Sequence, residues 1–336
     1  MKIGIVGPRT SGKTTIFSAL TGAHDITQKN GYSLGAANVP DGRVDFLSAM
    51  YEPKKTTHAQ ITLVDFASVK NGNGNSEAAK QARAVDALLV VLGAFLRNPV
   101  SDLDEMVSEL IVSDLGQVER ALERVQGKRF APREHAAIFE AAKTRLENGD
   151  LLAADSGLVD SLPDRQNFIT TRPMIAALNV PEADISNGNR KYDGVFQRCD
   201  ASAIPVVRFS ACVEEEIARM DASDRRVFLE EYGLEEPGLD RLAKQAYQTL
   251  GLISFFTVGD DEVRAWTVRR GTQAKTAAGV IHSDIERGFI RAEVVAYHDL
   301  ERLGSMKAVR DAGLFRLEAK EYVIKDGDVV SFRFNV

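Results

Sequence analysis

Short, almost continuous apolar runs recur along much of the chain and predict buried β-strands. The clearest are residues 2–6, 61–65, 88–92, 173–179 and 204–209. Runs of this length without alternation are typical of parallel strands that are covered on both faces. Polar or helical segments separate them, so the pattern predicts one α/β domain built on a parallel sheet.

A different periodicity fills residues 101–150, where apolar side chains recur at helical spacing and residues 127–132 interrupt the pattern. Ser101 and Asp104 have the spacing of an N-cap residue and its partner. We therefore predict a helical hairpin inserted between two strands of the sheet. Its apolar stripe either forms the seam between the two helices or offers a surface to a partner.

The chain from residue 252 onward has a third pattern of apolar and polar positions. Residues 263–268 and 329–334 alternate apolar and polar positions as half-buried strands do. A short helix is predicted around residues 275–282, and Asp326-Gly327 predicts a hairpin turn. These elements indicate a small separate α+β domain that begins at residue 252.

Composition narrows the class of protein. The 336 residues carry a formal net charge of −6, which argues against a broad electrostatic grip on nucleic acid. Two cysteines, Cys199 and Cys212, fit a reducing cytoplasm without a disulfide framework. The chain enters its first strand at once, so we expect no signal peptide, and the apolar run at 87–96 is too short to span a bilayer. We expect a cytoplasmic protein without membrane contact.

The motif G-x-x-x-x-G-K-[ST] follows the first strand directly, at residues 7–14. Its glycines let the backbone close around phosphate oxygens, and the following helix directs its N-terminal N–H groups at the anion. A chance match is the alternative, and the strand before and helix after the motif argue against it. The predicted phosphate-binding residues are Gly7, Thr10, Ser11, Gly12, Lys13, Thr14 and Thr15.

Two oxygen ligands for Mg²⁺ follow from the same pattern. The Thr14 hydroxyl takes the metal position of the motif, and Asp65 ends the strand at 61–65 as a Walker B acid does. The alternative for Asp65 is a strand-end residue that caps a turn. Residues 22–58 are polar and glycine-rich, which predicts a mobile loop over the γ-phosphate.

The residues after the later strands carry a resemblance to a known family. Asn179-Val180-Pro181-Glu182 stands where GTPases carry N-K-x-D, and Ser210-Ala211 follows the last strand of this domain. With the phosphate loop, this order resembles the Obg-like ATPases, the YchF family within the translation-factor class of GTPases. The C-terminal runs that resemble the family's pattern are 235–239, 262–267, 281–284, 286–292 and 322–329.

The resemblance implies a specific architecture. It is an α/β P-loop NTPase domain with an inserted helical, coiled-coil hairpin, followed by a C-terminal α+β domain of the β-grasp, TGS-like kind. In this chain the P-loop domain would cover residues 1–100 and 160–251, the hairpin 101–159 and the TGS-like domain 252–336.

The resemblance also implies a function. Members look like ATPases that accept GTP weakly, use Mg²⁺ and associate with ribosomes. We therefore expect ATP binding with weaker GTP binding, and contact with the ribosome or ribosomal RNA through the hairpin and the TGS-like domain. By position, Asn179 would bind the base together with Val180 and Glu182, and Ser210 and Ala211 would border it.

Several positions depart from the family pattern. Thr10 replaces an Asn of the phosphate loop, which puts potassium coordination through that side chain in question. Ser68 replaces the glycine of the second switch, D-x-A-G. Val69 stands where other GTPases place a water-orienting Gln, which the family also lacks. Thr27 is the nearest candidate for the first-switch Thr. These departures predict slow hydrolysis.

Three functions fit the sequence. The first is a slow ATPase that acts as a translation-associated switch. The second is a nucleotide-binding scaffold with little or no turnover, and the third is a metabolic P-loop kinase. The kinase ranks last because the C-terminal region resembles an interaction module. The oligomeric state does not follow from the sequence.

Overall fold

The structure is a computed structural model, and it describes residues 1–22, 27–29, 32–66, 82–95, 97–127, 133–186 and 189–335. By their contacts these residues divide into two units. The first unit comprises Met1–Ala37 and Thr62–Thr249, and the second comprises Asn38–Ile61 and Leu250–Val336. The predicted second switch at Ser68 and Val69 lies outside the described residues.

The predicted buried runs form the sheet of the first unit. Its strands are β1 (Lys2–Val6), β2 (Thr27–Lys29), β3 (Tyr32–Val39), β5 (Ala59–Phe66), β6 (Ala87–Gly93), β7 (Met174–Asn179) and β8 (Val206–Phe209). Within the described ranges their order is β2-β3-β5-β1-β6-β7-β8. The strands from β5 to β8 in this order are parallel. β6 and β7 are buried along their whole length, as expected of parallel strands covered on both faces.

Parallel pairing brings the carboxyl ends of these strands to one edge of the sheet. Ile5 pairs with Asp65, and Asn179 pairs with Gly93 on one side and Phe209 on the other. In open α/β sheets, ligands bind in the crevice outside this edge. The segments predicted to bind the nucleotide, which follow β1, β5, β7 and β8, therefore all begin at this edge of the sheet.

Helices that follow these strands complete the first unit. They are α1 (Lys13–Thr21), α6 (Asp193–Asp200), α7 (Ala211–Ile217), α8 (Ala222–Glu231) and α9 (Gly238–Thr249). The buried Glu214 carboxylate of α7 accepts hydrogen bonds from Gly238 N at 2.7 Å and Leu239 N at 3.3 Å. It thereby satisfies the first N–H groups of α9 and joins this helix to α7.

The predicted helical hairpin is present between β6 and β7. Its helices are α3 (Pro99–Gln126) and α4 (Arg133–Glu147), followed by α5 (Ser156–Ser161). The predicted cap is wrong: Asn98, not Ser101, caps α3 by accepting from Val100 N at 3.0 Å. Proline restricts φ to a value suited to a helix, so Pro99 favours the first helical position. The helix therefore begins before Ser101.

The apolar stripe of the hairpin is used in packing. Val118 and Leu122 of α3 share one buried core with Phe139 and Leu146 of α4. The Phe139 ring also lies 6.3 Å from the ring of Phe168, centroid to centroid. This supports the interpretation of the stripe as a seam. None of the helices in the described ranges, α3 included, combines the length and apolar composition needed to cross a membrane.

The second unit is a mixed sheet. Its strands are β4 (Lys55–Thr57), β9 (Leu252–Thr257), β10 (Glu262–Arg269), β11 (Phe289–Ala296), β12 (Arg316–Glu318) and β13 (Asp328–Phe334). In the described part of the unit their order is β12-β11-β13-β9-β10-β4. Within the C-terminal part of the chain, the first strand, β9, pairs in parallel with the last strand, β13. β10 pairs antiparallel to β9, and β11 pairs antiparallel to β13. This arrangement is that of a β-grasp domain.

Helices lie against this sheet, and one of them comes from far upstream in the chain. They are α2 (Gly42–Tyr51), α10 (Ala274–Ile281), α11 (Ser283–Arg287), α12 (Tyr297–Leu303) and α13 (Met306–Asp311). Phe46 of α2 makes an edge contact with Tyr297 at 5.6 Å between ring centroids. The Arg43 guanidinium pairs with Asp326 at 2.9 Å and lies 5.1 Å from the ring centroid of Phe256.

These contacts differ from the domain limits expected from the sequence. The segment Asn38–Ile61 belongs by its contacts to the second unit, whereas the prediction of 1–100 for the P-loop domain includes it. The physical reason is that β4 pairs with β10 and α2 covers apolar side chains of the same unit. Such pairing between distant segments leaves no local mark in the sequence.

The predicted hairpin turn at Asp326-Gly327 is a turn of another kind. Gly327 has a φ of 86° and Asp328 N donates to Lys325 O at 3.2 Å, as in a tight turn. The turn leads into β13, but the preceding strand, β12, pairs with β11 and not with β13. The Asp326 carboxylate instead accepts from Ser254 N at 2.9 Å, so the turn fastens the segment to β9.

Candidate nucleotide site

The loop between β1 and α1 approaches its neighbours so closely that it needs glycine at two positions. A Cβ on Gly7 would lie 2.4 Å from Val91 O, and one on Gly12 would lie 2.4 Å from Asn179 Nδ2. Gly12 also has a φ of 97°, which L side chains rarely adopt. Thr10 takes the left-handed region too, at a φ of 67°. The loop therefore has the strained, closed form of a phosphate-binding loop.

Lys13 lies across this loop. Its ammonium group donates to Gly7 O and to Pro8 O, both at 2.7 Å. Burial lowers the pKa of Lys13, the carboxylate of Asp65 opposes that shift, and nearby Arg9 adds to it. The positive charge is thus held inside the loop, where phosphate oxygens can replace the two carbonyl acceptors.

The residues predicted for Mg²⁺ fit that ion. Asp65 lies near the carboxyl end of β5, beside β1, and burial raises the pKa of its carboxyl while Lys13 lowers it. Thr14 lies in the first turn of α1 with an exposed side chain. Carboxylate and hydroxyl oxygens suit Mg²⁺, which in nucleotide sites takes its remaining ligands from phosphates and water.

Asn179 joins three segments of the site. Its side chain is 2% exposed. Its Nδ2 donates to Ser11 O at 3.2 Å and its Oδ1 accepts from Ala211 N at 3.0 Å. One amide therefore holds the phosphate loop, the end of β7 and the start of α7 together, and Ser210, itself 1% exposed, lies within this junction.

The two residues predicted to act with Asn179 are placed differently from each other. The Val180 side chain is fully buried in the core, and Val180 N donates to Phe209 O at 2.9 Å. Its side chain therefore offers no surface to a base. Glu182 is exposed, begins the short 3₁₀ turn Glu182–Asp184, and accepts a hydrogen bond from Tyr232 Oη at 2.5 Å.

Tyr232 was not predicted from the sequence. It follows α8, 50 positions beyond Glu182, and no motif spacing links the two. The hydrogen bond to Glu182, with burial and neighbouring carboxylates, raises the pKa of Tyr232 to about 12. A phenol at that pKa remains a hydrogen-bond donor throughout the physiological range.

A small cleft beside the phosphate loop contains further residues that the sequence did not single out. Phe95, Arg97 and Asp102 line it together with Arg9 and Thr10. Arg97 pairs with Asp102 and with Glu105, both at 2.8 Å. The side chain of Thr27, predicted as a first-switch residue, is outside what the structure describes, although its backbone lies in β2.

Comparison with known proteins places the chain among named relatives. Residues 252–335 match the family YchF-GTPase_C, described as a protein of unknown function, DUF933. The Ribosome-binding ATPase YchF of Bacillus subtilis (strain 168) is 35% identical, over 99% of this chain and 99% of the relative. Obg-like ATPase 1 of Oryza sativa subsp. japonica is 32% identical, over 100% of this chain and 92% of the relative.

Solved structures give the same picture of the fold. The Schizosaccharomyces pombe YchF GTPase superposes with a TM-score of 0.87 at 28% identity, over 99% of this chain and 97% of that one. A GTP-binding protein from Pyrococcus horikoshii OT3 superposes with a TM-score of 0.62 at 17% identity, over 100% of both chains. The second likeness concerns the fold alone.

Proposed function

Because the chain belongs to the YchF family, we propose that it is a P-loop hydrolase that binds ATP with Mg²⁺ and hydrolyses it slowly. The observation that carries this proposal is the closed loop with Lys13 folded across it and Asn179 joining it to α7. Relatives are named as ATPases, and one solved relative is named as a GTPase.

Different residues would bind the phosphates, the Mg²⁺ ion and the base. Lys13 and the loop N–H groups bind the phosphates, and the N-terminus of α1 adds its dipole. Thr14 and Asp65 would hold Mg²⁺, which supplies charge neutralisation for the transferred phosphoryl group. Asn179, bordered by Ser210 and Ala211, would hold the base.

We infer a preference for ATP over GTP from Glu182 and Val180, which replace the Asp and Lys of N-K-x-D. A site that reads guanine leaves a polar group unpaired against adenine, at a cost of about 1–3 kcal/mol. In this chain Glu182 replaces the Asp that accepts hydrogen bonds from guanine, so this penalty against adenine should be smaller. Calorimetric titration of the full chain with ATP·Mg²⁺ and GTP·Mg²⁺ tests this, and GTP binding tenfold tighter than ATP would contradict it.

Slow turnover rests on the second switch, where Ser68 replaces the family's glycine and Val69 stands where other GTPases, but not this family, place a Gln. Val69 cannot orient a water molecule by hydrogen bonding, so no side chain there prepares the nucleophile. We expect single-turnover hydrolysis by the isolated protein to take minutes or longer. The alternative, a nucleotide-binding scaffold without turnover, predicts no product at all in the same assay.

We further propose that the second unit contacts the ribosome, as the names of the bacterial relatives suggest for those proteins. In this chain the proposal is supported by two exposed arginines of that unit, Arg270 and Arg291. They give it local positive charge in a protein whose net charge is −6. The expected cytoplasmic location stays a prediction. A role for the helical hairpin in the same contact also stays a prediction.

Charge reversal in the full chain tests this contact better than truncation at residue 250. Truncation would remove the apolar partners of α2, because Phe46 packs on Tyr297 within the second unit. Arg270→Glu with Arg291→Glu should reduce co-sedimentation with ribosomes, most clearly at low salt. Arg219→Glu with Arg226→Glu, two exposed arginines of the first unit, is the matched control. Equal pelleting of both double variants would contradict the proposal.

A further inference from the structure

The hydrogen bond between Tyr232 and Glu182 lies at the base end of the proposed site. Glu182 is the third residue after Asn179 and stands where the guanine-reading Asp of N-K-x-D would be. Tyr232 Oη donates to its Oε1 at 2.5 Å. The carboxylate that could read a base is therefore already engaged by a phenol of the same chain.

The phenol is held in place by packing. Tyr232 lies against a buried cluster of Val213, Ile217 and Leu229 that joins α7 to α8. Its ring also stacks at a tilt on Phe228, with 4.9 Å between centroids. Because these helices hold the ring, the position of its hydroxyl oxygen is held as well.

The backbone that presents Glu182 is held with equal firmness. Arg208 donates to Ile185 O at 3.0 Å, and the Asp184 carboxylate accepts from Tyr192 Oη at 2.6 Å. The 3₁₀ turn that starts at Glu182 is thus fastened on its far side to β8 and to the segment before α6. Both the Tyr232 ring and the backbone of the turn that carries Glu182 are therefore held by contacts of their own.

The two purine bases differ in what they offer such a carboxylate. Guanine presents two donors, N1–H and the 2-amino group, and a carboxylate with two free oxygens accepts both. Adenine presents an unprotonated N1, an acceptor, which a carboxylate repels. A carboxylate drawn away from the base loses its advantage for guanine and its penalty against adenine.

Resting on the proposed nucleotide-binding function, we propose that Tyr232 is a positioning residue that sets base preference by holding the Glu182 carboxylate away from guanine. It discriminates against GTP without touching either nucleotide. The residue is therefore a specificity determinant of the site, separate from Asn179 and the phosphate loop.

The variant Tyr232→Phe keeps the ring and removes the hydroxyl. Calorimetric titration with ATP·Mg²⁺ and with GTP·Mg²⁺ should show the Kd for GTP falling about three- to tenfold, the range that the net gain of one hydrogen bond supports. The Kd for ATP should rise by up to about threefold, because the freed carboxylate then faces the unprotonated N1 of adenine. Tyr297→Phe removes the same kind of phenol–glutamate bond, 2.8 Å to Glu301 in the second unit, and is the matched control, with an unchanged ratio expected.

A double-mutant cycle isolates the mechanism. In a Glu182→Gln background the carboxylate is absent, so Tyr232→Phe should no longer improve GTP binding. Equal effects of Tyr232→Phe on both nucleotides, an unchanged ratio, or the same gain in the Glu182→Gln background would each overturn the inference. Wild-type protein that binds neither nucleotide would overturn the proposed function itself, so the two failures are distinguished by the wild-type titration.

Discussion

The phosphate end and the base end of the proposed site are built in different ways. The phosphate end consists of consecutive residues, 7–14, and we propose that it binds through backbone N–H groups and Lys13. The base end is assembled from the end of β7, the start of α7 and Tyr232 beyond α8. Backbone recognition in one contiguous loop tolerates few changes, whereas under our proposal recognition by distant side chains changes with a single hydroxyl group.

Asn179 is the joint between the two ends. Its amide donates to the phosphate loop and accepts from Ala211 N, while being almost entirely buried. Substitutions at the phosphate end, the joint, the second switch and the base end should therefore have effects of decreasing size. The four predictions below follow that order.

Lys13→Ala should have the largest effect. It removes the positive charge from the phosphate loop, so affinity for ATP·Mg²⁺ and GTP·Mg²⁺ should both fall about 100-fold or more, since charge-assisted bonds to phosphate are the strongest in such sites. The free energy of unfolding without nucleotide should stay within about half a kcal/mol of wild type. Titration and thermal melting measure the two quantities.

Lys2→Ala, an exposed lysine at the start of β1, is the control for loss of charge in the same unit. Wild-type affinity in Lys13→Ala would show that this loop is not the phosphate site.

Asn179→Ala should weaken both ends together. It leaves Ala211 N and Ser11 O without their buried partner, which should lower the free energy of unfolding by about 1–3 kcal/mol. Affinity for both nucleotides should fall about tenfold, since positioning of the loop against α7 is lost. Asn179→Asp keeps the acceptor for Ala211 N but buries a carboxylate against Ser11 O, so a loss at least as large as that of Asn179→Ala is expected. Unchanged stability in Asn179→Ala would contradict the role of a joint.

Ser68→Gly should accelerate chemistry without changing affinity. It restores the glycine of the family's second switch, whose backbone freedom lets that segment approach the γ-phosphate. We expect a several-fold faster single-turnover rate at an unchanged Kd for ATP. Ser68→Ala keeps a Cβ and should behave as wild type. A Ser68→Gly variant no faster than wild type would show that another step limits hydrolysis.

Glu182→Asp should have the smallest effect. It restores the acid of N-K-x-D and shortens the reach toward Tyr232, so the Kd ratio of GTP to ATP should fall by about two- to fivefold. The shift is partial because Val180, where the motif has Lys, remains in the core. Competition titrations with the two nucleotides measure the ratio. An unchanged ratio would mean that the acid at this position does not face the base.

Much of the fold was predictable because its signals are local. The buried strands β1, β6 and β7, the hairpin helices and the phosphate loop each follow from consecutive residues. The cap of α3 was mispredicted by three residues because Ser101 resembles a cap, while Asn98 with Pro99 makes the better one. Which of two nearby residues caps a helix is decided by small differences in free energy.

The sequence by itself determined the phosphate loop, the candidate Mg²⁺ ligands, the main buried strands with the inserted hairpin, and the family. All of these are encoded in short runs, where backbone sterics and spacing act between neighbours. The sequence did not determine β3, α2 and β4, which lie in the segment 22–58 that was predicted as a mobile loop. Only the tertiary structure decided that Asn38–Ile61 packs with the C-terminal strands, that Val180 is buried, and that Tyr232 engages Glu182. These depend on contacts between segments far apart in the chain, whose partners are chosen by the packing of the whole unit rather than by any local preference.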